Sequence, residues 1–556
     1  MNNHIKPFIY KIILASLSGT MLTLSFPKPV MNFLIWIAFI PLFISIRNLS
    51  PIHAFLVGVL TGLVHYLTLM YWLPHTLYNL IHFPIYLCLA IHFCLSLYLS
   101  LYMGLFSLIT IKLCIKPIML LFISPALWVS FEYIRTYLFT GFPWGLLGYS
   151  QYNCLNIIQI ADMFGVYGVS FLIILCNAAL FIIFLYMTGR TWQKYHMSKI
   201  QSVISIFYLL LIIGLALLYG KQRILTIESL CAVSPSYRFS IIQGNIDQSI
   251  KWDPTFIKTS ETKYLKLSID EKQNKPDMII WPETALTYYY ERDIKRSKTV
   301  NNVINALHTY FLIGSPCLSK SEKGVLKDLN AAYLIGPDAK ICGRYDKVHL
   351  VPFGEYIPYK KWLPFFDKIV EGENDYISGK KIDPIKWGKF YICIQICYEI
   401  IFPNPCRKLV KNNSQLIINI TNDAWFGKTS GPYQHFSYAI FRAIENRRSL
   451  LRAANTGISG FINPVGRIIA STSILKDETM THPAVLFDYN SIYTRVGDMF
   501  ALINLVFIFL LILIRQYLGL YIMKKIFGPG NLALVFEKIK HAYWMPIFIL
   551  ALRVSL

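Results

Sequence analysis

About seven apolar stretches, each near the roughly 20 residues that cross a bilayer as helix, crowd the first 220 positions of this chain. They are centred near Ser16, Ala38, Thr61, Ser96, Leu127, Leu175 and Leu211. A further one occupies residues 499–514. Between Lys221 and Asp498 no such run exists. Charged residues, turns and short β-type runs take its place. This layout predicts an α-helical membrane domain over 1–220 and a water-facing domain over 221–498. A last membrane helix is expected at 499–515. The tail, 516–556, has a short apolar run at 543–552 and is expected to lie in the interface or stay disordered.

Composition agrees with the division. The chain is 55% hydrophobic over 556 residues, too apolar for an ordinary soluble protein. Its formal net charge of +23 does not make it a nucleic-acid binder. Up to Gly220 the only acids are Glu132 and Asp162, and the bases sit in short gaps between apolar runs. That is topology charge, not a phosphate-binding face. Lys6 and Lys11, Arg47, Lys112 and Lys116, and Arg190, Lys194 and Lys199 fall in alternate loops. The rule that cytoplasmic loops are basic puts these loops and the N-terminus inside. An odd number of spans then leaves the soluble domain outside, and the last span returns the C-terminus to the cytoplasm. A cleaved signal peptide fits the first span poorly, because no clear A-x-A site follows it. The 11 cysteines show no CxxC pair, so neither a structural zinc site nor a disulfide framework is expected.

The soluble part alternates β-rich runs with helical patterns. The runs are RFSIIQ, DMIIWPE, FLIGSP, AAYLIGP, YICIQIC and LIINITN; residues 255–273 and 433–449 read as helices. Such alternation implies a layered α/β fold with its chemistry at strand ends. Three strand-end groups stand out. WPET carries Glu283, GRYDKVHL carries Lys347, and ICYEI carries Cys397. A thiol at a strand end that leads into a helix start can act as a nucleophile. A nearby Glu can take its proton, and a Lys can hold an oxyanion. Singly, each has a bland reading: a turn carboxylate, a solvated lysine, a core thiol. Their joint placement argues for acyl transfer through a thioester.

The segments WPET, DKVHLVPFGEYIP, ICYEI, NDAWFG, GPYQHFSYAIFRAIENRR and RAANTGISG resemble the nitrilase superfamily, and specifically its membrane-bound branch, the apolipoprotein N-acyltransferases. FEYIRTYLFTGFPWGLLGYSQ, GVYGVSFL and IIQGNIDQSIKWDP resemble that family too. The resemblance implies an α-β-β-α sandwich for the soluble domain, with Glu283 as general base, Lys347 as oxyanion-stabilising cation and Cys397 as nucleophile. It implies supporting roles for Glu355, Tyr398 and Glu399, and substrate handling by Trp252 and Trp144, with Trp425 added from the WFG stretch. Cys393 is expected to be buried scaffold, and Glu399 a packing or loop-ordering group. No metal or cofactor is implied. The implied donor is a phospholipid and the implied acceptor is the N-terminal diacylglyceryl-cysteine of a lipoprotein. The implied place is the inner membrane with a periplasmic active site, and the expected active unit is a monomer. Residues 358–370 (PYKKWLPFFDKIV), with Trp425 as a second contact, read as a membrane-facing loop. A membrane-tethered amidase would use the same three residues with water as acceptor; the membrane half favours the transferase. A transporter with a dead outer domain would lack one of the three, and none is missing.

Overall fold

The apolar stretches carry helix in the computed structural model, which describes residues 5–320, 326–359 and 376–527. In chain order the helices are α1 (Ile5–Leu24), α2 (Ile40–Ile46), α3 (Pro51–Leu69), α4 (Trp72–Asn79) and α5 (Ile85–Leu113). Then come α6 (Leu120–Tyr137), α7 (Leu155–Ile158), α8 (Ala161–Thr188) and α9 (Lys199–Ala232). By length and composition α3, α5, α6, α8, α9 and the C-terminal helix can cross a membrane, six among the described residues. Five of these precede residue 221, where about seven spans are expected. Phe8–Leu24 and Asn32–Ile46 are apolar but shorter. The second is broken, because a 3-10 turn at Asn32–Trp36 ends before α2, whose first turn carries Pro41. Proline has no N–H to continue a helix through it, so the helix restarts there.

The domain boundary expected after residue 220 falls inside α9. Just past that point Arg223 Nε donates to Asp162 Oδ2 of α8 at 2.7 Å, so a charge continues the helix instead of ending it. Within α8 the chain kinks at Gly165, with φ of 64°. A Cβ there would meet the Tyr493 ring at 2.7 Å, so only glycine lets the C-terminal segment close against α8.

The soluble domain has strands β1 (Ser236–Gln243), β2 (Met278–Ile280), β3 (Tyr310–Lys320), β4 (Leu326–Ile335), β5 (Ile341–Asp346) and β6 (Ile385–Trp387). They continue with β7 (Phe390–Ile396), β8 (Leu416–Thr421), β9 (Ser449–Ala454), β10 (Gly460–Ile462), β11 (Ile468–Ser471) and β12 (Glu478–Val485). Two six-stranded sheets result, in the orders β12-β1-β2-β3-β4-β5 and β11-β10-β9-β8-β7-β6. Each has a parallel centre, β1-β2-β3 in one and β7-β8-β9 in the other. Parallel strands end on one edge, so the segments that follow them gather there.

Period-2 burial sets the layers. Phe239, Ile241, Met278 and Ile280 share a core with Ile392, Ile394 and Ile396 of the second sheet. Ile242, Ile279 and Trp281 point the other way, onto α10 (Ile257–Asp270) and α11 (Ile294–Leu307). α12 (Pro403–Lys411) and α13 (Gly431–Asn446) pack on the second sheet, which completes the expected α-β-β-α sandwich. α13 is buried all round because α8 covers its other side. Some of the polar groups this buries are paired, within α13 or across the seam. Arg442 meets Glu445 at 3.0 Å, Glu445 accepts from the Val166 amide at 3.0 Å, and Arg447 meets Asp162 at 2.8 Å. α14 (Ile492–Val496) leads into α15 (Met499–Phe527), which continues past the expected end at Arg515. The run at 543–552 and most of the expected membrane-facing loop, from residue 360 on, lie outside the described residues.

Candidate active site

β7 delivers the thiol. The strand is extended to Ile396, and Cys397 then adopts φ of +51°, a left-handed turn rarely held by a non-glycine residue. The turn is held from below by Glu399. One oxygen accepts from the Ile396 amide at 2.7 Å. The other accepts from the amides of Val348 (2.7 Å) and His349 (3.0 Å) and from the Tyr345 hydroxyl (3.1 Å). Glu399 therefore ties the Cys397 turn to the segment after β5. Burial pushes its carboxyl up to about 7, although these donors pull the other way. Cys397 itself is half-buried. Cys393, four residues earlier and inside the strand, is fully buried, with its Sγ 4.0 Å from Cys406 Sγ.

Opposite the thiol, β2 and β5 bring two charges together. The WPET turn lies so close over β3 that a Cβ at Gly314 would sit 2.5 Å from the Pro282 carbonyl. Glycine at that one point lets Glu283 reach inward. Glu283 Oε1 accepts from Lys347 Nζ at 3.3 Å and from Asn330 Nδ2 at 2.8 Å. Its Oε2 accepts from the Asn422 amide at 2.9 Å. Lys347 Nζ also donates to Glu355 Oε1 at 2.9 Å, and Asn330 Nδ2 reaches that oxygen at 3.2 Å. A second buried cation, Lys251, donates to the Glu283 backbone carbonyl at 3.2 Å.

The charges settle each other. Burial would push the Glu283 carboxyl up, but Lys347, then Lys251 and the Asn330 amide, outweigh it and hold it below its ordinary value. Burial would lower Lys347, but Glu355 and Glu283 raise it above its ordinary value. Burial, then Glu283, pushes the Cys397 thiol up to about 12, against the pull of Lys347. At rest the site thus holds a carboxylate, an ammonium and a neutral thiol. That is the protonation state in which a carboxylate can take a thiol proton.

The other expected residues divide. Glu355 joins the charged cluster. Tyr398 is buried, edge-on to Phe402 at 5.2 Å. Trp252 is half-buried beside Lys251. Trp144 and Trp425 are not brought into the cluster and lie instead at the seam between the two halves. Trp144 Nε1 donates to Gln434 at 2.8 Å, and its ring packs 4.9 Å from Trp72 and 5.9 Å from His435. The Trp425 carbonyl accepts from Thr76 at 2.6 Å. Sequence reading missed Asn330, Asn422 and Lys251. The only signal for Asn330 is one polar residue just ahead of the apolar AAYLIGP run, while Lys251 sits in KWDP and Asn422 in NDAWFG. A cavity of 1200 Å³ elsewhere, between the β5 and β6 edges, includes Arg344, Asp346 and Lys380 but none of Glu283, Lys347 and Cys397. Among the described residues no group of His, Cys, Asp and Glu is arranged to hold a metal ion.

Known proteins match both halves. Residues 18–179 match the apolipoprotein N-acyltransferase N-terminal domain, and residues 241–486 match the carbon-nitrogen hydrolase domain. An apolipoprotein N-acyltransferase of Geobacter metallireducens is 40% identical over 490 residues, covering 88% of this chain and 92% of that protein. One from Rickettsia typhi is 33% identical, covering 69% of this chain and 74% of that protein. A solved amidase, NitN of Neterenkonia sp. AN1, is 17% identical with a TM-score of 0.35, covering 47% of this chain and 97% of its own. With identity sustained through the membrane helices and the two-sheet domain alike, the chain belongs to the apolipoprotein N-acyltransferase family.

Proposed function

We propose that this protein moves a fatty acyl chain from a membrane phospholipid, through a thioester on Cys397, to the α-amine of the diacylglyceryl-cysteine that begins a lipoprotein. The observation that carries the reading is the meeting of Glu283, Lys347 and the Cys397 turn at one strand edge, in a chain whose relatives bear that activity in their names. Cys397 Sγ attacks the ester carbonyl carbon while Glu283 takes the thiol proton. Lys347 has three N–H donors and gives two to Glu283 and Glu355, which leaves one for the tetrahedral oxyanion. The C–O bond breaks, Glu283 returns its proton to the leaving alkoxide, and a lysophospholipid departs. The acceptor amine, neutral when it attacks, forms the amide and passes a proton to Glu283. The C–S bond breaks, and that proton restores the thiol. Water has to be kept from the thioester between the steps.

Asn330, Glu355 and Asn422 orient the charges, and Trp252 would handle the acyl chain. The seam aromatics Trp144 and Trp425 would act on substrate only through the packing of the two halves. One chain supplies every group, which supports a monomeric active unit. The alternate basic loops support a periplasmic site in the inner membrane, with both termini cytoplasmic.

The test is the intact mass of the purified protein after incubation with phospholipid, with Cys397→Ser alongside. An acyl-sized gain, labile to hydroxylamine and absent from the variant, is the expected result. A folded protein with no adduct that releases ammonia from simple amides would overturn the reading in favour of an amidase.

A further inference from the structure

Lys347 has two ion-pair partners; Arg135, a buried cation in the membrane half, makes no ion pair among the described residues, and Glu132 one turn earlier acts on it only through space. Arg135 lies in the last turn of α6 and is 2% exposed. Its Nη1 donates to the Tyr66 hydroxyl at 2.5 Å, and its guanidinium sits 5.5 Å from that ring's centroid. Its Nη2 is buried with no hydrogen-bond partner among the described residues. The acid nearest along the helix, Glu132, gives Oε1 to the Trp128 indole (2.9 Å) and the Leu147 amide (2.7 Å), and makes no ion pair with Arg135.

The surroundings are polar on one side, where Tyr66, Tyr102 and Tyr98 all lie within electrostatic reach of Arg135. Tyr98 and Tyr102 from α5 are half-buried, their hydroxyls 2.8 Å apart. Phe139, which packs on Tyr98, is 58% exposed and opens that side outward. On the same helix as the two tyrosines, His92 Nε2 and Ser96 Oγ are also buried without partners. The segment after α6 fixes the depth. A Cβ at Gly141 would lie 3.1 Å from the Phe402 ring, and the Gly145 amide donates to Tyr438 at 3.2 Å. Arg135 is therefore at the edge of the bundle that meets the catalytic domain. A charge inside a bundle that keeps an unmade hydrogen bond is costly and marks a ligand path.

We infer that Arg135, with the Tyr98 and Tyr102 hydroxyls, seats the phosphodiester of the phospholipid acyl donor. This rests on the proposed function, because the donor is that reaction's first substrate. A guanidinium presents paired N–H donors that match phosphate oxygens, and the hydroxyls add neutral donors. Such a seat would fix the glycerol esters relative to the headgroup and disfavour neutral glycerides.

The experiment measures Cys397 acylation by intact mass in the full-length protein. One donor is phosphatidylethanolamine in mixed micelles and the other a p-nitrophenyl acyl ester, which carries no phosphate. For Arg135→Gln the phospholipid-to-ester rate ratio is expected to fall about tenfold or more, the worth of a charge-assisted hydrogen bond. Arg135→Lys should recover part of it. An unchanged ratio, with both rates intact or both reduced, would overturn the inference. If Arg135→Gln fails to fold, Tyr98→Phe with Tyr102→Phe takes its place; about a threefold fall in the ratio supports the seat and an unchanged ratio overturns it. Inorganic phosphate in excess is expected to leave the wild-type phospholipid rate unchanged. Inhibition that Arg135→Gln abolishes would make this a free-phosphate site and overturn the lipid assignment. Should neither donor acylate the wild type, the proposed function itself fails, which is a separate outcome.

Discussion

Lys347 and Arg135 are both cations, both nearly inaccessible, and they are treated in opposite ways. Lys347 is 1% exposed and lies between Glu283 and Glu355, at 3.3 and 2.9 Å. Arg135 is 2% exposed, with a tyrosine on one nitrogen and, among the described residues, no hydrogen-bond partner on another. The catalytic-domain cation is neutralised within the fold, so its site is set before any substrate arrives, as electrostatic preorganisation requires. The membrane-half cation is left incomplete, as suits a place whose counter-charge enters with a lipid. On this view, removing a partner inside the catalytic cluster should damage chemistry whichever donor is used, whereas damage at Arg135 should depend on the donor.

The largest effect is expected from Lys347→Met, which breaks the neutralised side of the contrast. It leaves two carboxylates facing each other and removes the donor to the oxyanion. Acylation should fall about 10³-fold with phospholipid and soluble ester alike. Lys347 is the leading influence holding Glu283 low, so without it burial prevails and the base titrates higher. The acid limb of the residual pH–rate profile should move to higher pH. A loss confined to phospholipid would erase the distinction between the two cations.

Asn330→Leu comes next. One amide nitrogen holds Glu283 and Glu355 together, so its loss should cost on the order of 10- to 100-fold in acylation rate, again for both donors. An unchanged rate would mean that Lys347 alone positions the carboxylates.

A slower variable is pH. Burial raises the Glu399 carboxyl to about 7, above its unfolded value near 4.3. A group raised in this way stabilises the fold fully below its unfolded value, and that stabilisation is lost as pH rises through about 7. Glu399→Gln cannot titrate, so the gap between wild-type and variant melting temperatures should narrow as pH is raised from about 5 to about 8. The variant should melt lower at every pH, since its amide N–H₂ would face the Ile396 N–H. A constant gap would show that Glu399 does not ionise within that range.

How far the sequence could be read depended on how local each feature is. Glu283, Lys347 and Cys397 each end a strand inside a contiguous motif, so local pattern and family resemblance both reached them. Glu399 was legible as an ordering group because it directly follows that turn. Asn422 acts through a backbone amide on a residue 139 positions earlier, and Asn330 acts by bridging two other strand ends. No spacing in the chain announces such cross-sheet bonds. The break in the second apolar stretch was legible at Pro41, yet mean hydropathy passes over it. The true length of α9 was hidden because the apolar run stops near Lys221, while the helix goes on with Arg223 paired to Asp162 of α8. Trp144 sits in a motif tied to substrate in the family, but its burial against Trp72 and His435 depends on the docking of the two halves.

The smallest effect is expected at the other cysteine of β7. Cys393 and Cys397 are four residues apart and point the same way along the strand, so the sequence alone leaves either able to be the thiol that matters. The surroundings separate them. Cys393 is fully buried among aliphatic side chains, its Sγ near Cys406, with no cation beside it other than Arg448, and burial raises its thiol well above the ordinary value. Cys397 leaves the strand on a left-handed turn and meets Glu283 and Lys347. Cys393→Ala should therefore keep acylation within about twofold of wild type, while the small cavity left in the core costs about 1 kcal/mol of stability. Measured beside Lys347→Met, it separates loss of packing from loss of charge. If Cys393→Ala instead abolished the hydroxylamine-labile adduct while the protein still melted cooperatively, the thioester would have to move to Cys393, and the neutralised cluster around Lys347 would need another purpose.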